Sequence, residues 1–346
     1  MITVQVRQPY PVLIQAGIWQ APAEHFTMPR LRIVTDANVE RWVVPLHDRL
    51  KTAGFDVDVL SIPAGEASKT LDTCRLVYSF LTRTQADRHT GLVAAGGGVV
   101  GDLAGFAAAT YMRGMPLVHM PTSLLAQVDS SIGSKVAVDL PEGKNLVGAF
   151  YDPVGILTDP HVLSTLPPRE IATGMAEVIK AALIASPSLF ERCRQGPPAD
   201  LVEAAVRIKA AIVTRDPFET GERMQLNLGH TLGHALEAAT GYARLTHGEA
   251  VSIGTVAAIR LSRRLGVLQD DMEADVAHVL SHWGLPVRAP GDVPWEALRP
   301  AFLLDKKRVG AKTRYVVPEV VGRVRVLDDV NLDEVGRVYR SLQEGA

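Results

Sequence analysis

Cysteine is nearly absent: the 346 residues hold two, Cys74 and Cys193, and neither lies in a CxxC pair. So few thiols exclude a disulfide scaffold and fit a reducing compartment. An excess of either charge is missing as well. Lysine and arginine total 36, aspartate and glutamate 38, for a net charge near −2. No global basic surplus favours nucleic acid or an anionic membrane as partner. Long apolar runs are lacking too. The longest uncharged apolar stretch near the middle, residues 114–128, is too short for a bilayer and carries His119, Gln127 and two prolines. The first residues, Met1-Ile2-Thr3-Val4-Gln5-Val6-Arg7, show no basic segment leading into an apolar one. The expectation is a soluble, cytoplasmic protein.

What is present is globular composition, 47% apolar and 21% charged, which excludes a largely disordered chain. At about 150 residues per domain the length predicts two domains. The first half alternates strand and helix signals. Residues 2–6 and 12–15 read as short strands, and 31–36 as a buried strand ending in Asp36. Val39, Trp42, Val43, Leu46, Leu50 and Ala53 follow at helical spacing, with Gly54 as a stop. Residues 57–62, 92–95 and 117–120 are the next strands, and Ser68 is placed to cap a helix reaching Gln85. Such alternation predicts crossover units and a mostly parallel sheet. After Asp159 helical patterns dominate, over 171–185, 200–215, 225–239, 248–265 and 270–283, before a short β pair at 315–317 and 324–327. The expected architecture is an α/β domain with a mostly parallel sheet over 1–160 and a mainly α-helical domain over 161–346. A cleft between them is the default site.

Three clusters carry chemistry. Strand 92–95 runs into Gly96-Gly97-Gly98-Val99-Val100-Gly101-Asp102, a GxGxxG pattern between strand and helix. Glycines let the backbone approach a pyrophosphate, and a helix N-terminus favours its charge. No acid follows at the usual distance, but Asp36 ends an earlier strand and is placed to bind a ribose. Glu66 and Lys69 add polar groups at another strand end. A tight structural turn is the alternative reading. In the helical half, His230 and His234 stand at i and i+4, so one helix face presents both. With His247 and Glu177 they offer imidazoles and a carboxylate suited to a catalytic zinc. Spacing leaves open which of the four groups bind, and whether the pair are core or capping histidines. Finally, Gln127 to Lys135 and Gly143-Lys144-Asn145 gather two lysines, an amide and Asp129. They suit an anionic substrate or, alternatively, a solvated loop.

Taken in order, residues 96–113, 121–150, 166–180, 223–237, 247–254 and Asp305-Lys306-Lys307 resemble the dehydroquinate synthase family of sugar-phosphate cyclases. The resemblance covers nearly the whole chain. It implies an N-terminal NAD-binding domain, a C-terminal metal- and substrate-binding domain and a homodimer. Glu177, His230 and His247 are the implied ligands of Zn2+ or Co2+, which makes His234 a substrate-side acid–base group. Asp129, Lys135 and Lys180 join His234 and Glu177 as implied catalytic residues. Arg113, Lys144, Asn145, Lys209, Arg223, Asn227 and Lys306 are the implied substrate contacts, with Arg113 reaching the neighbouring subunit's site. For NAD the resemblance names Asp36, Glu66, Lys69, Gly97, Gly98, Val99, Asp102, Thr122, Ser123, Asp129, Lys135, Lys144, Thr165 and Leu166.

The implied substrate is a sugar-acid phosphate, 3-deoxy-D-arabino-heptulosonate 7-phosphate. The implied product is 3-dehydroquinate, on the shikimate route to aromatic amino acids. Arg223 and Lys209 suit the carboxylate, a guanidinium fork matching a planar acid. Lys135, Asn145, Asn227, His234, Lys306 and Arg113 suit the phosphate. In the implied sequence NAD takes a hydride, phosphate is eliminated, the hydride returns and an intramolecular aldol closes the ring. One position departs from the family's usual GGKT, since this chain reads Gly133-Ser134-Lys135-Val136. Sister cyclases acting on sedoheptulose 7-phosphate or glucose 6-phosphate tend to differ at Arg223, Asn227 and His234. Arg223 favours a substrate with a carboxylate, because without one its charge goes unmatched. A metal-dependent NAD-linked dehydrogenase has no use for the 129–145 cluster, and a non-catalytic NAD-binding protein none for the intact ligand set.

Overall fold

The structure is a computed structural model and describes residues 1–308 and 314–343, with side chains to Phe302 and again from Arg314. The chain divides into two compact units, Met1–Leu166 with Lys209–Phe218, and Pro167–Ile208 with Glu219–Ala346. No described helix is long and apolar enough to cross a membrane.

The strands of the first unit are β1 (Ile2–Val4), β2 (Tyr10–Ile14), β3 (Arg30–Asp36), β4 (Asp56–Ile62), β5 (Gly91–Gly96), β6 (Leu117–Pro121), β7 (Lys135–Leu140), β8 (Gly143–Phe150) and β9 (Gly155–Thr158). Its helices are α1 (Glu40–Thr52), α2 (Leu71–Arg83) and α3 (Gly98–Thr110). A seven-stranded sheet runs in the order β1-β2-β9-β6-β5-β3-β4, parallel apart from the β1–β2 pair. β5 is buried along its whole length. Its alternate residues feed two cores: Leu92 and Ala94 join Val77, Phe80 and Leu103, while Val93 and Ala95 join Val43, Leu46 and Leu50. Burial on both faces is why these strands read as apolar runs rather than alternating patterns.

β3 pairs in parallel with β4 on one side and β5 on the other, so strand order reverses there. In open α/β sheets ligands bind outside the carboxyl ends of strands at such a switch point. Asp36 ends β3 and Gly96 ends β5, which places the acid and the glycine turn at the reversal.

Local features differ from the sequence pattern, among them the helix expected over 225–239, which left-handed Gly229 divides into a 3-10 turn, Glu222–Asn227, and a helix from His230. Thr70, not Ser68, caps α2, its Oγ1 accepting the Thr73 N–H at 3.2 Å. The cause is a parallel bridge to Asp139 that keeps Thr70 extended until the helix begins. Residues 135–150, rich in polar groups, form the β7–β8 hairpin. Gly148 permits it, since a Cβ there would lie 2.5 Å from the Val136 carbonyl oxygen.

The second unit holds α4 (Pro168–Ala185), α5 (Pro187–Arg192), α6 (Pro198–Arg215), whose residues from Lys209 group with the first unit, α7 (His230–Ala239), α8 (His247–Arg264), α9 (Glu273–His282) and α10 (Trp295–Arg308). The antiparallel pair β10 (Tyr315–Val320) and β11 (Arg323–Leu327) follows, then α11 (Leu332–Gln343). α8 begins with a capping box between Thr246 and Glu249 and packs on both α4 and α7. Glycine allows the close approach. A Cβ on Gly248 would fall 2.4 Å from the Thr173 Cα, and one on Gly254 would fall 1.9 Å from the Gly229 carbonyl oxygen. Gly254→Ala is therefore expected to destabilise the fold by about 3 kcal/mol through overpacking. Gly291→Ala, where a Cβ meets open space, should leave the urea midpoint unchanged. Equal midpoints for the two variants would contradict this packing.

Candidate active site

In the second unit three helices bring one side chain each to a common point. Glu177 lies inside α4, His230 opens α7 and His247 opens α8. A ligand-capable atom from each lies within 4.8 Å of the others. The Nε2 atoms of His230 and His247 stand 3.6 and 3.4 Å from Glu177 Oε1. Glu177 is 2% exposed, and among the described residues neither carboxylate oxygen has a hydrogen-bond partner. The buried Lys180 ammonium lies against Oε2 as an ion pair without hydrogen-bond geometry.

A buried charge needs compensation. An orphaned carboxylate facing two imidazole nitrogens is a donor set for a divalent cation with positions left open, so these residues fit such an ion. Burial pushes the Glu177 carboxyl up, yet Lys180, His230 and His247 hold it well below the usual carboxylate range. Burial, then Lys180, takes His230 well below an ordinary imidazole. His247 behaves differently. Burial pulls it down, but the Glu177 and Glu237 carboxylates beside it outweigh that and raise it to about 10.

His234 lies one turn beyond His230, exposed, and groups with Glu237 and His247 rather than with Glu177. The short 3-10 segment Glu222–Asn227 carries Arg223, which is 3% exposed, and Asn227, whose Nδ2 donates to Glu219 Oε1 at 2.7 Å. Lys306 lies outside the residues whose side chains are described.

In the first unit, Gly97 caps α3 and Gly98 opens it. A Cβ on Gly98 would come 3.1 Å from Ser130 Oγ and one on Gly97 3.5 Å from Ser123 Oγ. The bare backbone at a helix N-terminus, together with the strand reversal, fits a dinucleotide. Val99 is half-buried in the first turn of α3, and Thr122 follows β6 with its N–H donated to the Gly96 carbonyl at 3.0 Å. Asp36 accepts the Asn38 N–H at 2.8 Å, and burial raises its carboxyl. Thr165 Oγ1 accepts the Trp42 indole N–H at 3.1 Å, next to the half-buried Leu166.

Three of the expected basic residues of this unit, Lys69, Lys144 and Lys209, are held by partners. Lys69 Nζ donates to Asp102 Oδ2 and Asn145 Oδ1, each at 2.5 Å. Burial pulls the Lys69 ammonium down, but Asp102, Glu66 and Asp139 outweigh it and leave it raised. Burial raises Asp102 to about 6 against the opposing pull of Lys69. Lys144 pairs with Glu66 at 3.3 Å. Lys209 Nζ donates to the Asp129 backbone oxygen at 2.6 Å and its Oδ1 at 2.5 Å. Asp129 itself lies in a single π-helical turn, Ala126–Ser130, of a kind frequent at functional sites. Arg113 is exposed within a left-handed stretch running from Met112 to Gly114.

Lys135 is exposed at the start of β7, after Ser134 with φ +65°. That conformation costs an L-residue about 1–2 kcal/mol. The Ser134 hydroxyl donates to Asp152 Oδ1 at 2.5 Å, which offsets the strain and shows how serine occupies a glycine position.

The chain matches the N-terminal 3-dehydroquinate synthase family over residues 59–173 and the C-terminal one over 174–308. It belongs to the 3-dehydroquinate synthase family. It is 44% identical over 344 residues to the 3-dehydroquinate synthase of Synechococcus sp., covering 95% of this chain and 93% of that one. Identity to the 3-dehydroquinate synthase of Symbiobacterium thermophilum is 43%, covering 94% and 96% of the two chains. Among solved structures, the 2-epi-5-epi-valiolone synthase of Streptomyces hygroscopicus, with NAD+ and Zn2+ bound, is similar at TM-score 0.88 and 27% identity over 99% of each chain.

Against the family pattern, the structure adds Glu237, Asp139 and Asp152, which sequence motifs do not single out. Glu237 had a signal: it follows His230 by seven residues and shares its helix face.

Cation and proton compete for His247 Nε2. Zn2+ binding to the metal-free chain should therefore release about one proton at neutral pH, and affinity should rise with pH up to about 10. Calorimetric titration in buffers of differing ionisation enthalpy reads this directly; no proton release would contradict it. Asp102 makes a second expectation. Its folded value, raised from 3.8 to about 6, means that the folded chain binds the proton more tightly across that window. Its contribution to stability thus falls as pH rises from about 4 to 6. In urea unfolding across the window, the stability difference between wild type and Asp102→Asn should therefore move against wild type as pH rises from about 4 to 6, and a difference that stays constant would contradict it.

Proposed function

We propose that this chain performs the 3-dehydroquinate synthase reaction, converting 3-deoxy-D-arabino-heptulosonate 7-phosphate into 3-dehydroquinate and phosphate. The observation that carries the reading is the buried Glu177 carboxylate facing two imidazoles in a chain of this family. Glu177, His230 and His247 would hold Zn2+ or Co2+, and the turn at Gly97–Gly98, with Asp36, Glu66, Lys69 and Asp102, would hold NAD. When bound, NAD supplies a reversible hydride acceptor and the cation supplies charge that lowers the pKa of a coordinated hydroxyl.

The chain's own residues supply binding and proton movement. Arg223 and Lys209 receive the substrate carboxylate, the guanidinium as a two-pronged donor. Lys135, Asn145, Asn227, His234 and Lys306 receive the phosphate. Lys180 keeps Glu177 anionic through its ion pair. His234, exposed one turn beyond His230, would carry a proton to or from the phosphate-bearing side. Lys209 steadies Asp129, and Lys69 steadies Asn145. The N-terminal residues 1–160 would serve NAD, with Lys135 and Asn145 also reaching the phosphate, and residues 161–346 would serve the metal and the rest of the substrate. The working form is a cytoplasmic homodimer in which Arg113 reaches the partner's site.

The test is phosphate release from 3-deoxy-D-arabino-heptulosonate 7-phosphate by zinc-loaded protein with substoichiometric NAD. Many phosphates per NAD with no lasting NADH are expected. Accumulating NADH would instead indicate a dehydrogenase, and no turnover on this substrate a sister cyclase. Arg223→Ala should lower kcat/KM by roughly 30- to 1000-fold, the scale of about 2–4 kcal/mol for a buried charged contact. Unchanged kinetics would remove Arg223 from the carboxylate pocket.

A further inference from the structure

Both imidazoles that face Glu177 turn the same atom, Nε2, toward it. In each ring the other nitrogen points at an oxygen. For His230 that oxygen is the Leu228 carbonyl, 3.1 Å from Nδ1. For His247 it is Oε2 of Glu237, 3.5 Å from Nδ1, at the outer edge of hydrogen-bond range. Glu237 is 5% exposed and lies two turns along α7 from His230, on the same face. Helix α7 is therefore tied to both of its neighbours at this point: it lends His230 to Glu177 of α4 and Glu237 to His247 of α8.

An imidazole whose Nδ1–H is held by an acceptor keeps the Nε2 lone pair available for a cation, and a carboxylate acceptor makes that lone pair more basic. We propose that Glu237 is a positioning residue for metal capture, fixing the ring orientation and tautomer of His247 through Nδ1 while Nε2 serves the ion. The inference rests on the reading that Glu177, His230 and His247 hold the cation.

A rival use of the same atoms exists. His234, Glu237 and His247 also bring ligand-capable atoms within 4.8 Å. An ion there, with another on Nε2, would require His247 to lose both ring protons. That second cluster also needs the exposed His234 as a ligand, whereas the orphaned buried carboxylate of Glu177 lies on the Nε2 side, so the ion is placed there and Glu237 is left to Nδ1.

The test uses full-length chains stripped of metal by chelation: wild type, Glu237→Gln, Glu237→Ala, and His247→Ala as reference. Each is titrated with Zn2+ against a chromophoric chelator, and the melting of each metal-free chain is recorded. Wild type is expected to bind one Zn2+. Glu237→Ala is expected to bind it roughly 10- to 100-fold more weakly while melting as wild type without metal. Glu237→Gln, which keeps an oxygen acceptor, should recover most of the affinity. Equal affinity in wild type and Glu237→Ala overturns the proposal, as does a glutamine chain no better than the alanine chain. Two Zn2+ per wild-type chain, with one lost in Glu237→Ala, overturns it in favour of a second ion site. Should Glu237→Ala fail to fold, Glu237→Asp decides: its shorter carboxylate withdraws from Nδ1, and unchanged affinity overturns the proposal. Wild-type affinity in His247→Ala is a separate result, one that sinks the ligand reading itself.

Discussion

A carboxylate buried without hydrogen bonds is tolerated only where positive charge is brought to it, and Glu177 imposes that demand on the second unit. Lys180 answers from the same helix, one turn on. The remaining charge or coordination has to arrive from other helices, which must then approach α4 closely. Ordinary side chains at the crossings would hold them apart. Gly248, next to His247, removes that obstacle against α4, and Gly229, next to His230, does the same between α7 and α8. Packing and chemistry thus make the same request of the sequence, and a glycine beside a histidine satisfies both.

The first unit solves a related problem differently. Its expected ligand-binding cations do not wait unpaired. Lys69, Lys144 and Lys209 each rest on an acid or amide of the same unit. The arrangement also settles an orientation. A lysine ammonium is donor only, so Asn145 must offer it the carbonyl oxygen. The Asn145 amide hydrogens then face away from Lys69, which is the polarity an anion requires. Preorganised donors of this kind cost little rearrangement when charge arrives.

Much of this was legible in the residues. Apolar runs ending in Asp36 and in Gly96 marked the strand ends at the switch point, because a strand buried on both faces leaves no other pattern. The cluster of Glu177, His230 and His247 was legible only through the family's motif, since spacing paired His230 with His234 and left open which of four groups bind, while the partner that completes the cluster in space is Glu177, more than fifty residues upstream on another helix. The β7–β8 hairpin was hidden. Gly143, Gly148 and the left-handed Asn145 break any alternation, and the polar side chains that serve the site look like those of a loop. β9 was hidden for another reason: four residues are too few to show a period. Helix α11 was open to reading, with Val335, Val338, Tyr339 and Leu342 buried at helical spacing. Glu237 and Asp152 act only through contacts distant in sequence, which no local pattern records.

The return of residues 209–218 to the first unit has a consequence for how the chain is made. Synthesis runs from the N-terminus, and domains generally fold as they emerge. Here the first unit lacks its last segment, and Asp129 lacks Lys209, until α4, α5 and most of α6 have been translated. The early sheet must persist as an unfinished body while helices of the other unit are produced. Nor can a cut after Leu166 release the first unit as a self-sufficient module, and a gene fusion that exchanged the two halves there would exchange the wrong pieces.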